Sequence, residues 1–117
     1  MKSLGVHHVS INVDDTDVAV VFYTDVLGMT LRADRPDLGF NGAWLDFGSH
    51  QLHLLELTVP DDRGQHFAIH VEDIDAAVSA VRSKGVEVGD PTPIASSRQA
   101  FLHDPSGNLV ELHQPAK

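Results

Sequence analysis

His8, His53, His66 and Glu111 put three imidazoles and one carboxylate on segments that alternate polar with apolar residues, and such a set is metal-binding chemistry. The chain of 117 residues holds eight histidines and no cysteine. Disulfides, thiolate zinc and iron–sulfur clusters are therefore excluded, and any ion must be held by nitrogen and oxygen. Three imidazoles and a carboxylate suit Zn, Fe, Mn, Ni or Co far better than Ca or Mg. The stretch HFAIH, from His66 to His70, has the i, i+4 spacing of two zinc ligands on one helix face. It alternates with period two, however, and lacks a glutamate after its first histidine. On a strand His66 and His70 lie about 13 Å apart, at roughly 3.3 Å per residue, so only one of them serves a given ion. His70 and His113 are the candidate catalytic groups, since an imidazole titrates near neutrality and can carry a proton. Ser10 and Asn12 are candidates to orient substrate oxygens, and Arg98 to meet an anionic group. Phe40, Trp44, Phe47 and Phe101 are candidates for an apolar wall, by parity only some of them. His7, His50 and His103 read as surface residues.

The elements that position these groups are written twice. Residues 6–17, VHHVSINVDDTD, and residues 64–75, GQHFAIHVEDID, each carry a histidine into an alternating run that ends in acidic residues. The alternation predicts a strand over Val6–Val13 and another over HFAIHV. The acidic residues that follow supply N-cap oxygens and charge for a helix. The run VAVVFYTDVL is predicted helical and closed by Gly28. In the second copy Ile74, Ala77, Val78 and Val81 mark a helix stripe closed by Gly85. TLRADR, GAWLDFG and HQLHLLEL read as strands of the first copy, VEVGD, RQAFLH and NLVELH as strands of the second. A shift of 58 residues carries His8 onto His66, Val13 onto Val71, Asp46 onto Asp104 and His53 onto Glu111. The expectation is an α+β fold of two tandem βαβββ modules, 1–60 and 61–117, in one domain whose polar strand faces can line a cleft. Parity puts His8, His53, His66 and Glu111 on polar strand faces. A pseudo-twofold axis between the copies would bring His8 to His66 and His53 to Glu111.

Charge narrows the partners. Eight Lys and Arg against 17 Asp and Glu give a net charge of −9. So acidic a chain repels phosphate backbones and anionic lipids, which leaves a small molecule rather than nucleic acid or membrane as partner. The longest apolar run, VAVVFY, is too short to span a bilayer, and MKSLGVHH has no signal-peptide stretch, so a cytoplasmic protein is expected.

The segments HHVSINVDD, FYTDVLGM, HFAIHVEDI and DPSGNLVEL resemble the vicinal oxygen chelate superfamily, which includes glyoxalase I, methylmalonyl-CoA epimerase, extradiol dioxygenases, fosfomycin-resistance proteins and bleomycin-binding proteins. The resemblance implies paired βαβββ modules forming a U-shaped mixed sheet around a divalent metal, with ligands on the first and fourth strand of each module. It carries the ligand positions onto His8, His53, His66 and Glu111. Glyoxalases and epimerases often have Glu or Gln at the place His53 takes here. The implied function is metal-dependent lyase, isomerase or dioxygenase chemistry on a small oxygen-chelating substrate, by a homodimer. The alternatives are a bleomycin-type binding protein and a fosfomycin-type thiol transferase.

Overall fold

The computed structural model describes all 117 residues, Met1–Lys117. It divides into two compact units, Met1–Pro60 and Asp61–Lys117. The first holds β1 (His8–Asn12), α1 (Thr16–Val21) continued by a π-helical turn (Phe22–Val26), β2 (Thr30–Leu31), β3 (Gly42–Phe47) and β4 (His50–Leu55). The second holds β5 (His66–His70), α2 (Ile74–Ser83), β6 (Thr92–Ile94), β7 (Ser97–His103) and β8 (Leu109–Gln114). Each unit is a four-stranded mixed sheet, in the orders β1-β4-β3-β2 and β5-β8-β7-β6. The outer parallel pair, β1 with β4 or β5 with β8, spans the helix crossover, and the remaining pairs are antiparallel. The fold is α+β.

The acidic pairs act as the sequence predicts. Asp15 Oδ1 accepts from Val18 N at 3.2 Å, and Asp73 Oδ1 from Ala76 N at 3.1 Å, which satisfies an otherwise orphaned helix donor in each unit. A second cap comes from the C-terminal end of the neighbouring parallel strand, β4 or β8. Glu56 Oε1 accepts from Thr16 N and Gln114 Oε1 from Ile74 N. Both helices end at a glycine in the left-handed region, Gly28 (φ 73°) and Gly85 (φ 79°), where a Cβ would be strained. Ile74, Val78 and Val81 are buried, as the stripe requires, whereas Ala77 is half-buried. Val13, Tyr23, Leu45, Leu52 and Leu54 make the core of the first unit; Ile74, Leu102, Val110 and Leu112 make that of the second.

Three local expectations change. The first helix is regular only to Val21, because the Thr24 hydroxyl takes the Val20 carbonyl at 2.7 Å and Leu27 N reaches back five residues to Phe22 O. A side-chain hydroxyl competing for a helix carbonyl is a known source of such wide turns. VEVGD is not a strand. Val88 is buried and Glu87 exposed, as alternation predicts, but only Gly89 N reaches β7, bonding Phe101 O at 3.0 Å. That contact is one residue out of step with the β6–β7 register, and β6 forms beyond Pro91 instead. The repeat also slips on one strand. Trp44 partners His53 and Phe101 partners Glu111, so β7 matches β3 at a shift of 57 and not 58. Phe101 thereby takes the place that Trp44 holds in the first unit.

Candidate functional site

In the second unit β5 and β8 bring His66 and Glu111 together. His66 Nε2 lies 2.9 Å from Glu111 Oε1, and its Nδ1 lies 2.7 Å from the carbonyl of Gly64. Both nitrogens face acceptors, so the ring as placed has the bonding of an imidazolium. The Gly64 carbonyl and the Glu111 carboxylate hold its pKa above the ordinary histidine value. Glu111 is 7% exposed, and its other oxygen is 2.7 Å from His113 Nδ1. A buried carboxylate between two imidazoles is fully partnered, which is what burial of that charge demands. Phe101 meets His66 edge-on, with ring centroids 5.3 Å apart at 82°.

This pair fits a divalent transition ion. The 2.9 Å between nitrogen and oxygen is about the separation of two ligand atoms bound at roughly 2.0–2.2 Å and a right angle. The Nδ1–H bond to a backbone carbonyl is the outer contact that orients a metal-binding histidine. An ion and a proton compete for the same Nε2 lone pair, so uptake would displace any proton held there.

The first unit gathers His8 and His53 differently. Their rings stack at 4.0 Å and 13°, and the far face of His53 stacks on Trp44 at 4.5 Å and 13°. His53 Nε2 is 2.9 Å from Gln51 Oε1. Burial, with the neighbouring His8, His7, Arg32 and Arg35, pushes the His53 pKa below its ordinary value. His8 is exposed on the edge strand β1, and its Nδ1 is 2.9 Å from that of His7. Neither unit by itself gathers three side chains able to hold one ion.

The other candidates separate. His70 is exposed at the end of β5 and is the register partner of His113. Ser10 is exposed opposite His53, while Asn12 donates to Thr58 O at 2.7 Å. Arg98 is committed to Asp75 through two bonds of 2.8 and 3.0 Å, so it does not wait for a substrate anion. Trp44 and Phe101 stand beside the candidate donors. Phe40 lies under Arg35, 5.3 Å from ring to guanidinium, and Phe47 packs by His50. The roles of Gly64 and Gln51 as hydrogen-bond partners of the histidines escaped the sequence reading, because a backbone carbonyl carries no residue signature and an i, i+2 amide on a strand is common.

No helix is long and apolar enough to cross a membrane. The chain is 35% identical over 119 residues to the protein named "Probable lactoylglutathione lyase, chloroplastic" of Arabidopsis thaliana, covering 90% of this chain but only 34% of that protein. It thus spans about a third of that relative's length. It is also 35% identical over 144 residues to 2-epi-5-epi-valiolone epimerase of an Actinomyces species, covering 94% of this chain and 79% of the epimerase. Among solved structures it is similar to TnmS3, an antibiotic binding protein from Streptomyces sp. CB03234, with a TM-score of 0.86, 27% identity and 99% of each chain covered. A sequence model of the Glyoxalase/Bleomycin resistance protein/Dioxygenase superfamily matches residues 5–112, from before β1 into β8, and the chain therefore belongs to that superfamily.

Proposed function

We propose that the chain is a metal-dependent enzyme acting on a small molecule with two adjacent oxygens, by lyase, isomerase or dioxygenase chemistry. His8, His66 and Glu111 are the donors to a divalent Zn, Fe, Mn, Ni or Co ion. The observation that carries the reading is the 2.9 Å His66–Glu111 pair with Nδ1 anchored on Gly64. Two imidazoles and a carboxylate leave open coordination positions. Bound there, the ion supplies a Lewis acid for oxygens of the substrate. The chain's own residues do the rest. His113 holds the second oxygen of Glu111 and so fixes the carboxylate. His70, exposed beside it on β5, carries the proton. A homodimer in the cytoplasm belongs to the same reading; sedimentation of the purified protein tests the dimer.

The deciding experiment is metal content after purification without chelators or a histidine tag, repeated on His8→Ala and Glu111→Ala. About one ion per chain in the wild type, lost in both variants, supports the site; no uptake even after reconstitution sinks it. Incubation with methylglyoxal and glutathione, and with a catechol and Fe(II), then assigns the reaction. The likeness to TnmS3 favours a second reading, a metal-free binding protein for a small toxic compound, with Trp44 and Phe101 as its aromatic contacts. Failure to take up metal together with ligand-dependent quenching of Trp44, the chain's single tryptophan, would establish it.

A further inference from the structure

We infer that His53 is a positioning residue that holds the His8 ring in place and is not itself a donor to the ion. The inference rests on the metal reading above and deepens it, because it decides how many imidazoles that ion would have.

A histidine binds a metal through a lone pair that lies in the plane of its ring. The His8 and His53 rings are 4.0 Å apart and only 13° from parallel. An ion shared between them would stand up to about 2 Å out of each plane, nearly the whole of a metal–nitrogen bond of about 2.0–2.1 Å. One ring must therefore leave the stack if both are to bind. His53 is the ring that cannot leave cheaply. Trp44 covers its other face at 4.5 Å, and Gln51 Oε1 accepts from its Nε2 at 2.9 Å. His8, by contrast, is exposed, and its remaining contact is with its neighbour His7.

The second unit shows what a ligating ring needs. Phe101, the counterpart of Trp44, approaches His66 edge-on, and both nitrogens of that ring meet hydrogen-bond partners. In the first unit the aromatic residue covers the fourth-strand side chain instead, and that side chain braces the first-strand histidine. A ligand on an exposed edge strand gains from such bracing, because less rotamer freedom is lost when the ion binds.

The test loads the protein with Co(II) and counts the hyperfine-shifted, exchangeable imidazole N–H resonances in its proton spectrum, one per coordinated ring. Two are expected in the wild type and two in His53→Phe, which keeps a ring in the sandwich but has no nitrogen. Co(II) affinity in His53→Phe should stay within a few-fold of wild type, whereas His8→Phe should abolish binding at the site. His53→Ala should weaken binding by roughly 10–100-fold, as loss of an orienting contact does, and His53→Phe should restore it. Trp44→Leu, which removes the bracing without touching either histidine, should weaken binding in the same direction with two resonances retained. Three resonances in the wild type falling to two in His53→Phe would overturn the inference while leaving the metal site standing. A wild-type protein that takes up no Co(II) would instead sink the metal reading, and the inference with it.

Discussion

The two units share a skeleton and differ in what they carry on it. Val13 N bonds Leu55 O at 2.8 Å, and Val71 N bonds His113 O at 2.9 Å. Ala19 N bonds Asp15 O and Ala77 N bonds Asp73 O, both at 3.0 Å. Every one of these contacts is repeated 58 residues on. At the polar ends of the same strands the likeness stops: one unit has a stack of three rings, the other a buried carboxylate between two imidazoles. The apolar faces are constrained by close packing and tolerate little, whereas the polar faces are free to diverge. A duplicated fold thus carries two unlike sets of polar side chains, one in each unit. In each unit an aromatic residue, Trp44 or Phe101, stands beside the candidate donors.

The comparison is tested most severely in the core. Leu54 and Leu112 occupy matching positions and are 1% and 2% exposed. Truncation of either to alanine should cost about 2–5 kcal/mol, measured by urea unfolding, through lost burial and the cavity left behind. Closely similar costs would mean that the two cores are energetic copies. A difference as large as the smaller cost would break the equivalence, and would show that one unit carries more of the stability than its geometry suggests.

A smaller effect separates the β3–β4 and β7–β8 turns. Asp104 is 5% exposed, and its carboxylate accepts from Ser106 N, Asn108 N and Asn108 Nδ2, each at 2.9 Å. Those bonds build the DPSGN turn that leads into β8 and so place Glu111. Asp46, near the corresponding turn of the first unit, has a side chain 41% exposed and holds Arg32. Asp104→Asn or Asp104→Ala should therefore cost about 1–3 kcal/mol through unsatisfied buried donors, and Asp46→Ala about 0–1 kcal/mol. Thermal unfolding of the two alanine variants side by side checks the ranking, and equal losses would contradict it.

These contrasts also show how far the residues alone could be read. The strands at His8 and His66, the capping aspartates and the terminal glycines are local: each follows from alternation, a short oxygen-bearing side chain, or a backbone turn that favours glycine. The α+β class and the superfamily followed from their repetition and from DPSGNLVEL. What could not be read was decided by where individual side chains and strands meet. The wide turn at Phe22–Val26 depends on where the Thr24 hydroxyl goes. The fate of VEVGD depends on a one-residue offset against β7. For the site, parity chose the polar faces, but it has no means of telling a stacked pair from an ion pair. His53 and Glu111 occupy the same place in the repeat, yet one lies between two rings and the other between two imidazole nitrogens. Those environments are made by Trp44, Gly64, Gln51 and His113, none of which the 58-residue repeat pairs with a like residue.

The least costly way to sharpen the comparison is at the helix caps, where the units use different chemistry for one task. Glu56 accepts from Thr16 N at 3.0 Å and from Asn41 Nδ2 at 3.1 Å; Gln114 accepts from Ile74 N at 2.8 Å with a neutral amide. The Thr16 N–H, then the Asn41 amide, holds the Glu56 pKa below its ordinary value of 4.5. A carboxylate with a depressed folded-state pKa adds stability that is fully present above the unfolded value and is lost as the pH falls through the folded one. The first unit should therefore loosen at its helix N-terminus below about pH 4.5, and the second should not by this route. Glu56→Gln copies the second unit's cap into the first. Near pH 7 it should change the unfolding midpoint little, since an amide oxygen can still accept from Thr16 N, and it should flatten the acid limb of the stability profile. Hydrogen exchange at Thr16 and Ile74 across pH 3 to 7 resolves the two ends separately. Acid-dependent opening at Thr16 in the wild type, reduced in Glu56→Gln while any opening at Ile74 is the same in both, is the expected pattern. Opening at Thr16 that persists undiminished in the variant would mean that another carboxylate governs this end, and Asp15, one residue before the helix, would be the next to change.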